Sequence, residues 1–182
     1  AANVPEQPGW EPHMEEKFQF PVADSPAGSI EVRGRIDRYE VGPGGECVIY
    51  DYKYSRPSSV AVIVKDEENQ RGLQAGLYIQ ALRNKALRPV AFYYVALKSA
   101  CETKGWDSAA DLDARASDAV RLATRAAFEI LDGRVAVAPI DQDSCAFCDF
   151  IDACRIREIG YGTSERASAA AGSDRFISHT FG

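Results

Sequence analysis

Asp37, Asp51 and Lys53 are the residues of this chain whose types and spacing could do chemistry together. The stretch VIYDYKYS (48–55) starts as a buried strand and then places Asp51 and Lys53 two residues apart. Side chains alternate across a strand, so this acid and this base leave by one face. Charged groups are seldom fully buried unless paired. Asp37 lies fourteen residues before Asp51, with the loop GPGGE between them. On adjacent strands of a hairpin the two carboxylates can converge. Two carboxylates with room for water suit Mg²⁺, a hard cation that keeps several waters in an octahedron. An ammonium at Lys53 could then orient an attacking water or neutralise charge developing on a phosphate. The combination is a hydrolytic site for a phosphodiester. An ion pair with a neighbouring Lys or Arg would account for either carboxylate taken alone.

Gln74 and Tyr78, in QAGLY, are one helical turn apart and share a helix face. There they could hydrogen-bond a substrate backbone or steady metal ligands. Taken alone, a packed Tyr78 and a half-exposed Gln74 explain the pair equally well. A second constellation is CAFCDFIDAC, which spaces Cys145, Cys148 and Cys154 as C-x2-C-x5-C. Clustered thiols in a reducing compartment suggest a metal or a cluster. Disulfides fit poorly in a chain of this size without secretory features. Zinc and iron–sulfur centres both call for four ligands. Cys47 and Cys101 are the remaining cysteines, and both read as buried structural residues.

The elements that must position these residues follow from periodicity. Residues 1–13 form a Pro-rich, irregular lead-in, and 14–22 alternate as a first strand. In 29–41, Ile30, Val32, Gly34 and Ile36 fall on one face, and Arg33, Arg35, Asp37 and Tyr39 on the other. Residues 47–53 return as the next strand, which SRPSS then breaks. Residues 72–87 read as a helix with Leu73, Leu77 and Ala81 in step, ended by Arg88-Pro89. The apolar run 90–97 predicts a strand covered on both sides. A long helix is expected over 109–131, with Val120, Thr124, Ala127 and Leu131 in step and Gly133 beyond it. The order is strand, strand, strand, helix, strand, helix: an α/β (α+β mixed) fold with a central mixed β-sheet flanked by helices.

The 182 residues suit one domain, expected over 14–160, with a flexible Ser/Ala/Gly-rich tail over 161–182. Hydrophobic residues make up 46% and charged residues 26%, the balance of a globular protein, and no apolar run approaches a membrane span. Without a secretory signal or an initiator Met, the chain is expected to be cytoplasmic and to be a piece of something longer. The net charge of −6 argues against a surface coated in positive charge. From Glu31 to Pro89, however, ten Lys/Arg outnumber eight Asp/Glu, so the basic residues gather around Asp51 and Lys53. Scatter along solvated faces would explain that count as well as a binding patch.

GRIDR (34–38), DYK (51–53) and QxxxY (74–78), in this order and at these gaps, resemble the PD-(D/E)XK nuclease superfamily and, within it, RecB/AddB-type exonuclease domains. The resemblance covers roughly residues 30 to 155. It implies a restriction-endonuclease-like core. It also implies metal ligation (Mg or Mn) by Asp37, Asp51 and the backbone carbonyl of Tyr52, a catalytic Lys53, and supporting roles for Gln74 and Tyr78. DNA is the implied substrate, in recombination and repair, with a helicase subunit or fused helicase domain as the implied partner. The C-x2-C-x5-C run resembles the cysteine clasp of AddB-type nucleases, which implies a 4Fe-4S cluster at Cys145, Cys148 and Cys154 in the longer protein. Its fourth Cys is expected upstream of this chain, leaving the cluster incomplete here; zinc is the alternative occupant. Such domains commonly add a His ligand from an upstream helix. His13 adjoins the first strand instead, His179 is far away, and Glu15 stands where the family often has an acid. A missing His would weaken metal binding. The alternative functional readings are a catalytically incomplete nuclease fold kept for DNA binding or helicase interaction, and a zinc-binding regulatory domain.

Overall fold

The computed structural model describes residues 9–26, 28–98 and 101–134 and, beyond these, Cys145, Cys148 and Cys154. The chain divides into two compact units, Ala1–Gly133 and Arg134–Gly182. The first unit holds every element described below. The proposed tail, 161–182, lies outside the described residues.

Strands β1 (Glu11–Ser25), β2 (Gly28–Val41) and β3 (Glu46–Lys53) are followed by helices α1 (Pro57–Glu68) and α2 (Gln74–Asn84). Strands β4 (Arg88–Ala96) and β5 (Glu102–Trp106) and helix α3 (Ala109–Leu131) complete the unit. The five strands form one sheet in the order β1-β2-β3-β4-β5. Only β3 and β4 run parallel; the other neighbours are antiparallel. A parallel pair needs a crossover, and α1 with α2 supplies it. The mixed sheet flanked by helices is the fold expected from the sequence.

The strand period sorts β3 and β4 cleanly. Cys47 and Ile49 on β3, with Phe92, Tyr94 and Ala96 on β4, face a core completed by Val60, Ile79, Leu82, Leu112 and Ala116 from the helices. Val48, Tyr50, Ala91 and Val95 form a second cluster on the opposite face. The alternation expected for β2 holds as far as Ile36 and then breaks, because Tyr39, three residues on, joins the same helix-side core. The break falls at Asp37. Pairing of β2 with β3 runs only from Arg38↔Tyr50 to Val41↔Cys47, while β1 stays paired with β2 on both sides of the break. Beyond Arg38 the two strands part, opening the sheet where the motif residues lie.

Several expectations change. Residues 11–13 belong to β1 rather than to an irregular lead-in. The third strand ends at Lys53, in the turn closed by the Ser55 N–H, and Pro57 instead starts α1, where it fits because a first-turn N–H has no helical partner. The short strand β5 escapes sequence reading because its five residues include Glu102 and Lys104. Its Gly105 lets the backbone close on β4: an added Cβ would stand 1.9 Å from the Phe92 carbonyl oxygen. In α3 the buried stripe is Leu112, Ala116, Ala119, Ala123 and Ala127, and Leu131 is exposed. Small side chains are needed there because Gly76 of α2 sits so close that an added Cβ would meet the Arg115 carbonyl oxygen at 2.1 Å. Cys47 is buried as expected, whereas Cys101 is exposed.

Candidate active site

The odd-numbered residues of β3 face the helices, so Asp51 and Lys53 leave the strand toward α2. Lys53 Nζ lies 2.6 Å from Asp51 Oδ2 and donates to Gln74 Oε1 at 2.8 Å. Gln74 Nε2 donates to Asp51 Oδ1 at 2.7 Å and to the Tyr78 hydroxyl at 2.9 Å. An ionised carboxylate only accepts, so the contact to Asp51 fixes which end of the Gln74 amide is nitrogen. Asp51, Lys53, Gln74 and Tyr78 thus form one closed network. Tyr78 is held from behind by Phe18, edge-on at 5.6 Å. Phe18 in turn lies over Gly34, where a Cβ would come within 2.5 Å of its ring. The glycine of GRIDR is therefore a packing requirement of the residue that backs Tyr78.

Asp37 joins through the backbone. Its Oδ2 accepts from the Tyr52 N–H at 2.9 Å. Continued in register, the β2–β3 ladder would have paired Tyr52 with Ile36. The Asp37 side chain takes that place where the strands part, which brings it beside the Tyr52 peptide and the Asp51 carboxylate. On the other face Arg38 donates to the Tyr52 hydroxyl at 3.2 Å and lies over the Tyr50 ring, pinning the same residue.

Asp51 is only 1% exposed. Burial raises its pKa; Lys53 opposes this by hydrogen bond and charge, and Asp37 and Glu67 add to it. Its buried Oδ2 is ion-paired with the Lys53 ammonium at 2.6 Å. A buried carboxylate whose pKa stays raised despite that pairing, with a second carboxylate adding to the repulsion, carries charge that a further cation would offset. Two carboxylates and a peptide carbonyl are the hard oxygen donors that Mg²⁺ or Mn²⁺ takes with waters. Asp37, Asp51 and the Tyr52 carbonyl therefore fit such an ion in chemical type. Among the described residues no three His, Cys, Asp or Glu gather into a metal-holding group.

His13 lies in β1, its ring stacked on Tyr39 at 4.6 Å, and Glu15 pairs with Arg35 at 2.8 Å. Neither joins the network. Cys145, buried, and Cys148 and Cys154, half-buried, lie in the second unit, with the Cys148 N–H 3.4 Å from the Cys145 carbonyl oxygen. They do not converge as the ligand set expected for a cluster or zinc.

Sequence reading missed Glu67. This buried carboxylate accepts from the Tyr94 hydroxyl at 2.9 Å and from the Ala75 N–H, in the first turn of α2, at 3.2 Å. The Tyr94 ring lies 5.5 Å from Lys53 Nζ. Burial pushes the Tyr94 pKa up and the Glu67 charge pushes it further, so the hydroxyl stays protonated as the donor. Glu67 thus supports both α2, which presents Gln74 and Tyr78, and the ring beneath Lys53. A signal was present: with Val60, Ile63 and Val64, Glu67 completes an i, i+3, i+4, i+7 stripe, so this acid occupies a core position.

Residues 2–155 match the family profile of the PD-(D/E)XK nuclease superfamily, whose members use divalent metals. The chain belongs to that superfamily. Among solved structures it is similar to one from Eubacterium rectale named "Putative exonuclease", with 15% identity and a TM-score of 0.41 over 88% of this chain. The chain spans 57% of the length of that structure. No curated protein matches it in sequence. No helix among the described residues is long and apolar enough to cross a membrane.

Proposed function

We propose that this chain is the exonuclease domain of a RecB/AddB-type helicase–nuclease, hydrolysing DNA phosphodiester bonds with Mg²⁺ or Mn²⁺ in cytoplasmic recombination and repair. The observation that carries the reading is the network that gathers buried Asp51 with Lys53, Gln74 and Tyr78, beside Asp37 held on the Tyr52 peptide. Asp37, Asp51 and the Tyr52 carbonyl would hold the ion. When bound, it would polarise a phosphoryl oxygen and lower the pKa of a coordinated water.

The chain's own residues do the rest. Gln74 uses both amide hydrogens and its oxygen to fix Asp51, Tyr78 and Lys53 relative to one another. Lys53 has three donors and spends two on Asp51 and Gln74, leaving one for the attacking water or a phosphoryl oxygen. Its side chain is 26% exposed, against 1% for that of Asp51. A helicase partner that feeds DNA to the site belongs to the same reading. For the C-x2-C-x5-C run, a 4Fe-4S cluster in a longer chain rests on its resemblance to the cysteine clasp of AddB-type nucleases. Anaerobic preparation of that chain would show cluster absorption, and stoichiometric zinc in colourless protein would replace the assignment.

The test is cleavage of end-labelled linear DNA, single- and double-stranded, with Mg²⁺ or Mn²⁺ against EDTA. Cleavage that needs metal and is lost in Asp51→Ala, with the fold intact, is the expected result. Cleavage retained in Asp51→Ala would place the chemistry elsewhere. Absence of cleavage in wild type would favour the non-catalytic reading, in which the fold serves DNA binding or helicase contact.

A further inference from the structure

Directly after Lys53 the chain presents Tyr54, whose side chain no other element among the described residues covers. Tyr54 is 82% exposed, and among the described aromatic residues only Phe128 of α3 is also exposed, at 48%. The other described tyrosines are buried or half-buried, as an aromatic body normally is. Tyr54 is not on a loose loop tip. The Ser55 N–H donates to the Lys53 carbonyl at 2.7 Å, closing a three-residue turn with Tyr54 at its apex. The Leu97 N–H donates to the same carbonyl at 3.0 Å, and the Lys98 N–H donates to the Ser55 carbonyl at 3.1 Å. These bonds tie the turn to the chain leaving β4 on both sides of Tyr54. The exposed Tyr54 is thus anchored through its backbone on both sides, one residue along the chain from Lys53.

The surroundings are basic. Lys98 Nζ lies 5.9 Å from the centre of the Tyr54 ring, and Arg56 is exposed two residues on. Neither Lys98 nor Arg56 takes part in an ion pair among the described residues. An aromatic face with cations beside it is the arrangement on which single strands are held: the ring stacks on a base and the cations follow the backbone. In a duplex the base faces are already stacked on one another and are closed to the ring.

We propose that Tyr54, flanked by Lys98 and Arg56, is a stacking platform for an unpaired nucleobase of the strand whose phosphodiester is engaged at Lys53. The platform rests on the nuclease reading of the site, but its contribution to binding is measured without turnover.

The experiment uses the 182-residue chain in EDTA, with fluorescence anisotropy on a labelled oligo(dT) and on a blunt duplex of equal length. Tyr54→Ala is expected to weaken oligo(dT) binding about five- to hundred-fold, the effect of losing one base–aromatic stack, and to change duplex binding less than about two-fold. Tyr54→Phe keeps the ring and is expected to bind as wild type does. Irradiation with 5-iodouracil in the oligonucleotide should give an adduct on the Tyr54 peptide. Equal oligo(dT) affinity in wild type and Tyr54→Ala overturns the platform. Equal losses on both DNAs also overturn it, because a general surface contact would act that way. Metal-dependent cleavage by wild type beside an unaffected Tyr54→Ala would sink the platform and leave the nuclease reading standing. Wild type that neither binds nor cleaves DNA sinks both.

Discussion

Glu67→Ala should be among the more damaging single changes in the first unit, although Glu67 touches neither Asp37 nor Asp51 by hydrogen bond. Its carboxylate accepts from the buried Tyr94 hydroxyl at 2.9 Å and from the Ala75 N–H at 3.2 Å. Truncation leaves both donors buried and unpaired. Each orphaned donor costs about 1–3 kcal/mol, so the pair together costs about 2–6 kcal/mol. Against a total stability of roughly 5–15 kcal/mol, that is a large fraction. Glu67→Gln keeps an oxygen where Oε1 accepts. It exchanges charge-assisted bonds for neutral ones, and it also removes a buried negative charge that opposes ionisation of Asp51. Its net cost should stay below about 2 kcal/mol. The assay is equilibrium unfolding in urea at neutral pH with EDTA present, followed by circular dichroism. A cycle with Tyr94→Phe should return a coupling of about 0.5–3 kcal/mol between the two positions. A loss under about 1 kcal/mol for Glu67→Ala, or equal losses for Ala and Gln, would refute the role assigned to this carboxylate. Gly72 reinforces the assignment, since a Cβ there would stand 2.9 Å from Glu67 Cδ.

Two further predictions follow from charge and burial. Asp51→Asn should stabilise the metal-free protein at neutral pH, with the gain closing as pH falls. The folded-state pKa of Asp51 is raised, chiefly by burial, so ionisation costs the folded chain more than the unfolded one. That cost is full above the raised pKa and vanishes below the ordinary carboxylate value, so melting temperatures of variant and wild type in EDTA should converge toward about pH 4. A gap that widens on acidification would contradict the sign. Alkylation by iodoacetamide at pH 8, read by peptide mass spectrometry, should label exposed Cys101 quickly. Cys47 should stay unmodified, because burial pushes its thiol up to about 12. Rapid labelling of Cys47 in folded protein would show that β3 opens far more readily than its core position allows.

What could be read from the sequence had local causes. Asp51 and Lys53 share a face because a strand alternates, and Gln74 and Tyr78 share one because a helix repeats near four; neither pairing needs knowledge of the rest of the chain. The helix over 109–131 was legible for the same reason, down to its ends. The face it buries was not, because alanines carry little hydrophobic signal and their burial is dictated by Gly76 on another helix. Asp37 marks the boundary between these two kinds of information. Alternation assigns it a face, yet its position depends on the parting of β2 from β3 and on its taking over a backbone bond to Tyr52. Glu67 lies beyond that boundary. In sequence it stands in an acidic run, KDEEN, and only the packing of α1 against β4 makes one of those acids a core group with Tyr94 as its donor. The residues of a candidate site can therefore be legible while those that hold them are not. Contact chemistry reuses a few residue types at fixed short spacings, whereas support depends on which distant side chains the fold happens to bring within 3 Å.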